Sequence, residues 1–343
     1  MCRAHDGVDV SVQLHDVTLE DGDHVLQGRL RCTRCTRDYP IIDGIPVLIA
    51  ELRRWMADHL DAVMERADLD PSLAVLIGDA MGPGTLYDTR RSHLSSYGWG
   101  HWGDLDPNPP RGPGEPAGLV TALAAGLAQT GDLPVPVVLD CGCGVGRSAF
   151  ELARAHDDAL VLGIDLSFSF LRAAADTLRT GRARYPVRRN GIVYDTRDID
   201  AQVMDVRDRV DFWCMDAQAL PLPKGCAGGV ASLNLIDCVP TPRDHLIALR
   251  DVLAPGGWAV LATPFDWSPA ATELDQWIGG HAQLHALQGQ PDAAFDALVG
   301  SHPFAIDGLT AIGEAVDVPW WVRLHDRSTA AYEVRVRVLQ RSH

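Results

Sequence analysis

Val137 to Ala153 reads VVLDCGCGVGRSAFELA: an apolar run closing on an acid, then glycines at 142, 144 and 146, then an amphipathic segment. Glycine is needed in such a turn because the backbone doubles back tightly and a ligand must approach where a Cβ would stand. The apolar run predicts a buried strand, and SAFELARAH behind the loop predicts a helix. The next apolar run, ALVLGID (159–165), closes on Asp165. It lies about 20 residues beyond the loop, where a carboxylate accepts hydrogen bonds from ribose hydroxyls; Leu166, beside it, is placed on the same ligand side.

The same alternation continues outward from this segment. VDFWCMD (210–216), GGVASLNLI (228–236) and WAVLAT (258–263) read as further strands. SFSFLRAAADTLRTG and RDHLIALRDVLAPGG read as helices, the second stopped by Pro-Gly-Gly. VPWWVRLHD and AAYEVRVRVLQR read as terminal strands, and the alternation of valine with charge in YEVRVRV predicts a half-exposed edge. Strand–helix alternation of this kind predicts an α/β fold with a mostly parallel, Rossmann-like sheet and a C-terminal antiparallel hairpin over residues 118–343. Residues 51–117 read as helical (ELRRWMADHLDAVMERA) and end in a linker too rich in Pro and Gly for helix or strand, GDLDPNPPRGPGEPAG. Residues 1–50 alternate in hydrophobicity and predict a small β module.

A dinucleotide-binding loop would require glycine at position 147, which is Arg147. The pattern present, Asp140-x-Gly142-x-Gly144-x-Gly146, resembles motif I of class I S-adenosylmethionine (SAM)-dependent methyltransferases. Three further segments resemble the family in order. Asp216-Ala217 matches its adenine-contacting pair, Asn234 in SLNLID its fourth motif, and Leu253-Ala254-Pro255-Gly256-Gly257 its fifth-strand lead-in. The resemblance covers residues 135–265 and implies SAM as cofactor, held by Asp140, the three glycines, Asp165, Leu166, Asp216, Ala217 and Asn234. Tyr97, His101 and Trp102 in SSYGWGHWGD resemble the aromatic segment that closes over SAM in such enzymes, and equally suit packing between helix and core.

In the N-terminal module, Cys32 and Cys35 form C-x-x-C within RLRCTRCTRDYPIIDGIPVLI. That phrase resembles the small zinc-ribbon protein that activates tRNA and release-factor methyltransferases. Its second pair is represented here by Cys2 and His5, so the resemblance implies a structural Zn²⁺ held by Cys2, His5, Cys32 and Cys35, with no open position for catalysis. A ribbon without metal, held by Ile41, Ile42, Ile45, Val47 and Leu48, is the other possibility. Cys141, Cys143, Cys214, Cys226 and Cys238 lack paired spacing and read as core or loop thiols.

More narrowly, over about residues 137–281, GRSAFELA, FSFLRAA, NLID and TPFDW followed by WIGG resemble the methyltransferase domain of ovothiol synthase, which implies N-methylation of an imidazole-bearing or related small molecule. Phe265-Asp266-Trp267 and Ile236-Asp237-Cys238 depart from the Tyr-Thr-Trp and Leu-Asp-Arg usual there. Phe265, Trp267, Trp277 and Trp321, with Trp320, are the candidate acceptor pocket, since aromatic walls suit a planar acceptor and attract a sulfonium. If a proton must leave, Asp237, Asp266 and His325 are candidate bases.

A formal net charge of −16 argues against broad contact with nucleic acid; the arginines at 182, 184, 188 and 189 form a local cluster that reads as a solvated surface or a basic patch. No apolar stretch approaches the roughly 20 residues of a membrane span, and MCRAHDGVDV has no secretory apolar region. The expected setting is therefore cytoplasmic, with a small-molecule substrate and reduced thiols. Two other readings stay open: a peptide, protein or RNA methyltransferase docking through the ribbon, and an idle SAM-binding activator of a partner.

Overall fold

The computed structural model describes residues 10–66, 69–300 and 302–342. The chain begins with an antiparallel four-stranded sheet, β1 (Val12–Asp21), β2 (His24–Cys32), β3 (Asp38–Ile42) and β4 (Ile45–Pro46), paired in sequence order. Asp43-Gly44 makes the last turn with φ of 52° and 83°, the left-handed pair that a two-residue hairpin of this hand requires. Helices α1 (Leu52–Met64), α2 (Pro71–Met81), α3 (Leu86–Trp102) and α4 (Gly118–Leu127) follow. The caps are local: Asp70 accepts from the Ser72 amide at the start of α2, and Thr85 from the Asp88 amide at the start of α3.

The second half alternates: β5 (Val137–Cys141), α5 (Arg147–Ala155), β6 (Leu160–Asp165), α6 (Phe168–Thr180), a hairpin of β7 (Arg182–Asn190) and β8 (Val193–Asp200), then β9 (Val210–Cys214) and β10 (Ala227–Leu233). It ends with α7 (Pro242–Val252), β11 (Leu253–Thr263), α8 (Pro291–Val299), β12 (Leu309–His325) and β13 (Ser328–Arg341). Seven of these strands form one sheet in the order β12-β13-β11-β10-β5-β6-β9, parallel from β9 to β11 and closed by the antiparallel β12–β13 pair. The expected Rossmann-like sheet with its terminal hairpin is present. The chain runs from β5 outward to β6 and β9, then returns to β10 and goes the other way. The strand order therefore reverses between β5 and β10, and in open α/β sheets ligands bind at that crevice.

One detail differs from the sequence-based expectation, and a second sharpens it. β13 is an interior strand, paired with both β11 and β12, so β12 is the edge. Its alternation reflects two faces: Val334, Val336 and Val338 are buried, while Arg335 and Arg337 turn outward to Asp292, with Arg337 also reaching Asp296. The arginine cluster at 182–189 is strand β7, with Ala183, Tyr185 and Val187 buried between the charges. Arg182 and Arg184 share Asp198 across the hairpin, and Arg189 faces Asp195 and Asp326 at 3.8 Å, so opposite charges answer this patch.

The N-terminal sheet joins the large one edge to edge. Val47 makes a parallel bridge with Cys214 of β9, and the Leu48 amide donates to the Cys214 carbonyl at 3.0 Å. The Pro/Gly-rich stretch lies along the β12–β13 hairpin, with the Thr329 hydroxyl donating to the Pro113 carbonyl at 2.8 Å and Arg323 donating to the Arg111 carbonyl at 3.3 Å. No helix among the described residues is long and apolar enough to cross a membrane.

Candidate functional site

The site is built from the loop between β5 and α5. The amides of Gly142 and Cys143 both donate to the Ile164 carbonyl, at 2.8 and 3.0 Å, which folds the loop back over β6. Gly146 has φ 91°, and a Cβ there would stand 2.8 Å from Phe212 and 2.9 Å from Ala174, so only glycine fits. Asp165 accepts from the Gly144 and Ser167 amides at 3.0 and 2.8 Å, holding the loop against the end of β6. Asp140, 1% exposed, accepts from the Ser148 hydroxyl at 2.5 Å; burial pushes its carboxyl up to about 7 against that hydrogen bond.

Arg147 stands where a dinucleotide loop would have glycine, and it serves as a tie. Its guanidinium binds Glu151 at 2.6 Å, Asp104 at 3.1 Å and the His101 carbonyl at 3.2 Å, and lies over the Trp102 ring. This fastens the end of α3 to the glycine loop and presents Tyr97 and His101 to it. Tyr97 packs on Phe170 with ring centres 4.4 Å apart. His101 is buried, and burial with the neighbouring Arg147 charge lowers its pKa to about 3, so the ring is neutral. Sequence reasoning used Arg147 only to exclude a dinucleotide; its i, i+4 spacing to Glu151 was the available signal.

A cavity of about 320 Å³ opens at the switch point. Gly142, Ser148, Asp165, Tyr97, His101 and Phe170 line it on the loop side. Asn234, Asp237 and Cys238 enter it after β10, Pro264 and Asp266 after β11, and Trp320, Trp321 and Tyr332 from the hairpin. Asn234 has a left-handed backbone, φ 52°, and its Oδ1 has no hydrogen-bond partner. Asp237 is 3% exposed; the Asp266 amide donates to its Oδ2 at 3.1 Å, while its Oδ1 has no hydrogen-bond partner. Burial, reinforced by the Asp266 charge and opposed by backbone amides and the Thr263 hydroxyl, pushes the Asp237 carboxyl up to about 6.

The structure thus brings Tyr97, Gly142, Asp165, Asn234, Asp237, Asp266 and Trp321 to one cavity. It places other candidates elsewhere. Pro264 and Asp266 line the cavity, whereas Phe265, φ 53°, and Trp267 belong to a hydrophobic core cluster. Trp267 is buried and stacks on Trp277, ring centres 5.9 Å apart, and the Trp277 indole donates to the Thr272 carbonyl at 3.0 Å. His325 ends β12 and accepts from the Arg327 amide in the hairpin turn at 3.2 Å, outside the cavity lining. Gly144 and Gly146 shape the loop without lining the cavity, and Leu166 is exposed beside Asp165. Asp216 and Ala217 follow β9, beyond the lining, with Asp216 accepting from the Gln218 amide at 2.9 Å.

His245 was missed by sequence reasoning. It is fully buried, bonds Ser232 at 2.9 Å and approaches the Ala217 carbonyl at 3.3 Å, fixing the loop after β9 to β10; burial lowers its pKa to about 4. A lone helix histidine gives no signal of that contact.

In the N-terminal sheet, the Cys32 sulfur accepts from the amides of Arg34 and Cys35 at 3.4 and 3.5 Å. Cys2 and His5 lie outside the described residues. Among the described residues no group of three or more His, Cys, Asp or Glu could hold a metal ion.

Residues 139–261 match the family model described as a methyltransferase domain. Over 188 residues the chain is 26% identical to trans-aconitate 2-methyltransferase of Mycobacterium tuberculosis, spanning 55% of this chain and 60% of that protein's length. A Mycobacterium bovis protein of the same name matches equally. A solved Haemonchus contortus phosphoethanolamine N-methyltransferase 2, in complex with SAM, superposes with TM-score 0.36 and 21% identity over 52% of this chain and 34% of that one. The methyltransferase-domain match therefore falls on the glycine loop and on the strands from β5 to β11 that flank the cavity.

Proposed function

We propose that the chain is a SAM-dependent methyltransferase that N-methylates a small azole or amine metabolite. The observation that carries the reading is the cavity. It runs from the glycine loop and Asp165 into a chamber walled by Trp320, Trp321 and Tyr332 and containing two carboxylates, Asp237 and Asp266. SAM supplies a methyl group on a sulfonium, whose transfer is an in-line displacement with a neutral leaving group. The chain's residues therefore have mainly to align the acceptor and exclude water. Asp165 and the loop would hold the nucleoside, and α3, tied down through Arg147, would cover it. A carboxyl tuned to about 6 is matched to a ring nitrogen, whose unperturbed pKa resembles that of imidazole at about 6.5, better than to an alkylamine near 10.

The N-terminal module would carry a structural Zn²⁺ on Cys2, His5, Cys32 and Cys35. Two amides directed at the Cys32 sulfur suit a thiolate ligand and support this.

Calorimetric titration with S-adenosylhomocysteine, followed by label transfer from SAM to metabolite, peptide and RNA pools, tests the reading. Binding and transfer to the metabolite pool are expected. Absence of binding, or transfer only to macromolecules, overturns it.

A further inference from the structure

We propose that Asp237, with Asp266 beside it, is the counter-carboxylate of the acceptor subsite, selecting acceptors that carry N–H or positive charge and rejecting polycarboxylates. This rests on the methyl-transfer reading above and adds to it the charge rule by which the acceptor is chosen.

Three observations converge. Asp237 is 3% exposed and lines the cavity, and its Oδ1, shielded from solvent, has no hydrogen-bond partner. Buried polar atoms are nearly always satisfied, so an orphaned acceptor on a residue that lines a cavity points to a donor supplied by a ligand. The Asn234 Oδ1 is a second orphaned acceptor at the same cavity, so the wall offers acceptors in want of donors. The charge inventory has one sign. The described lining includes Asp165, Asp237 and Asp266, with His101 neutral and no lysine or arginine. Asp165 is already engaged by the Gly144 and Ser167 amides, whereas Asp266 lies beside the Tyr332 hydroxyl. A polycarboxylate entering here would lose hydration and meet only like charge, a penalty nothing in the wall offsets.

The step balances on the same atoms. The acceptor nitrogen's lone pair forms the N–CH₃ bond as the S–CH₃ bond breaks, with that bond's electron pair remaining on sulfur. The proton on the acceptor moves to Asp237 Oδ1 and passes to water after release. The sum is acceptor N–H plus SAM giving N–CH₃, S-adenosylhomocysteine and a proton.

The test uses the full chain, labelled SAM, a panel of amines and azoles, and a panel of di- and tricarboxylates including citrate. Transfer to the nitrogen panel alone is expected. Asp237→Asn should lower kcat/KM at least 100-fold and leave S-adenosylhomocysteine affinity within two-fold, which also certifies folding. Asp266→Asn should lower it about ten-fold, and Asp237→Glu should restore part of the loss. Transfer to carboxylates, no transfer to nitrogen acceptors, or Asp237→Asn within three-fold of wild type overturns the proposal. So does a variant that loses SAM affinity ten-fold but keeps S-adenosylhomocysteine, because the carboxylate would then serve the sulfonium. Failure of the wild type to bind S-adenosylhomocysteine removes the methyl-transfer reading instead.

Discussion

Replacing Arg172 with alanine should loosen the N-terminal sheet and α1 from the α/β unit, by an amount the contacts allow to be worked out. From α6 the guanidinium donates to the Ala62 and Val63 carbonyls at 3.0 and 2.9 Å, and pairs with Asp43 at 2.8 Å. The two carbonyls are the open end of α1, which lacks four intrahelical donors. Hydrogen bonds to a charged group contribute roughly 1.5–3 kcal/mol each, and water reaching a helix end puts these at the low side, about 3 kcal/mol for the pair. The Asp43 side chain is 42% exposed, so that ion pair adds at most about 1 kcal/mol. The Phe168 ring beneath the guanidinium, 4.9 Å away, adds roughly 0.5–1 kcal/mol. Arg172→Ala should therefore lose about 4 kcal/mol in urea unfolding followed through Trp55, a buried residue of α1. Cleavage between residues 50 and 86 by a probe protease should quicken in step. Arg172→Lys keeps the charge but not the fork, and should recover less than half. A loss under 1 kcal/mol in the alanine variant, or full recovery in the lysine variant, would refute the reasoning.

Gly146→Ala should weaken S-adenosylhomocysteine binding at least ten-fold and destabilise by about 2–5 kcal/mol, from left-handed strain and contact with Phe212 and Ala174; calorimetric affinity within two-fold of wild type would contradict it. Burial raises Asp237 to about 6, and it must be ionised to take a proton, so kcat/KM should fall about ten-fold per unit below that pH and be level above it. A flat profile from pH 5 to 8 would sink that role, as would an acid limb unchanged in Asp237→Asn. Metal analysis should find one zinc per chain, and chelation should lower the unfolding temperature; well under one zinc would remove the ribbon site.

What was legible in the sequence was local. Strands β5, β6, β9, β10 and β11 and the glycine loop follow from apolar runs, turn chemistry and helix stops, each encoded within about ten residues, whereas the β7–β8 hairpin was not foreseen. What was not legible depends on long-range direction. That Pro264 and Asp266 line the cavity while Trp267 stacks on Trp277 depends on where the chain after β11 meets strands far off in sequence. The valine–charge alternation of β13 was seen, but alternation marks two unlike faces and cannot tell an edge from an interior strand. His245 and Arg147 act on partners 28 and 46 residues away, a separation at which residue identity carries no positional signal.

The bridge between Val47 and Cys214 has a consequence for synthesis of the chain. At about 5–20 residues per second, Cys214 is made roughly 10 to 30 s after Val47, so the first sheet leaves the ribosome long before the strand it docks on exists. It must persist through that interval on its own hairpin pairing, with its last strand exposed. Whatever steadies it during the wait, a bound metal or a chaperone, governs how much of the chain reaches the joined state.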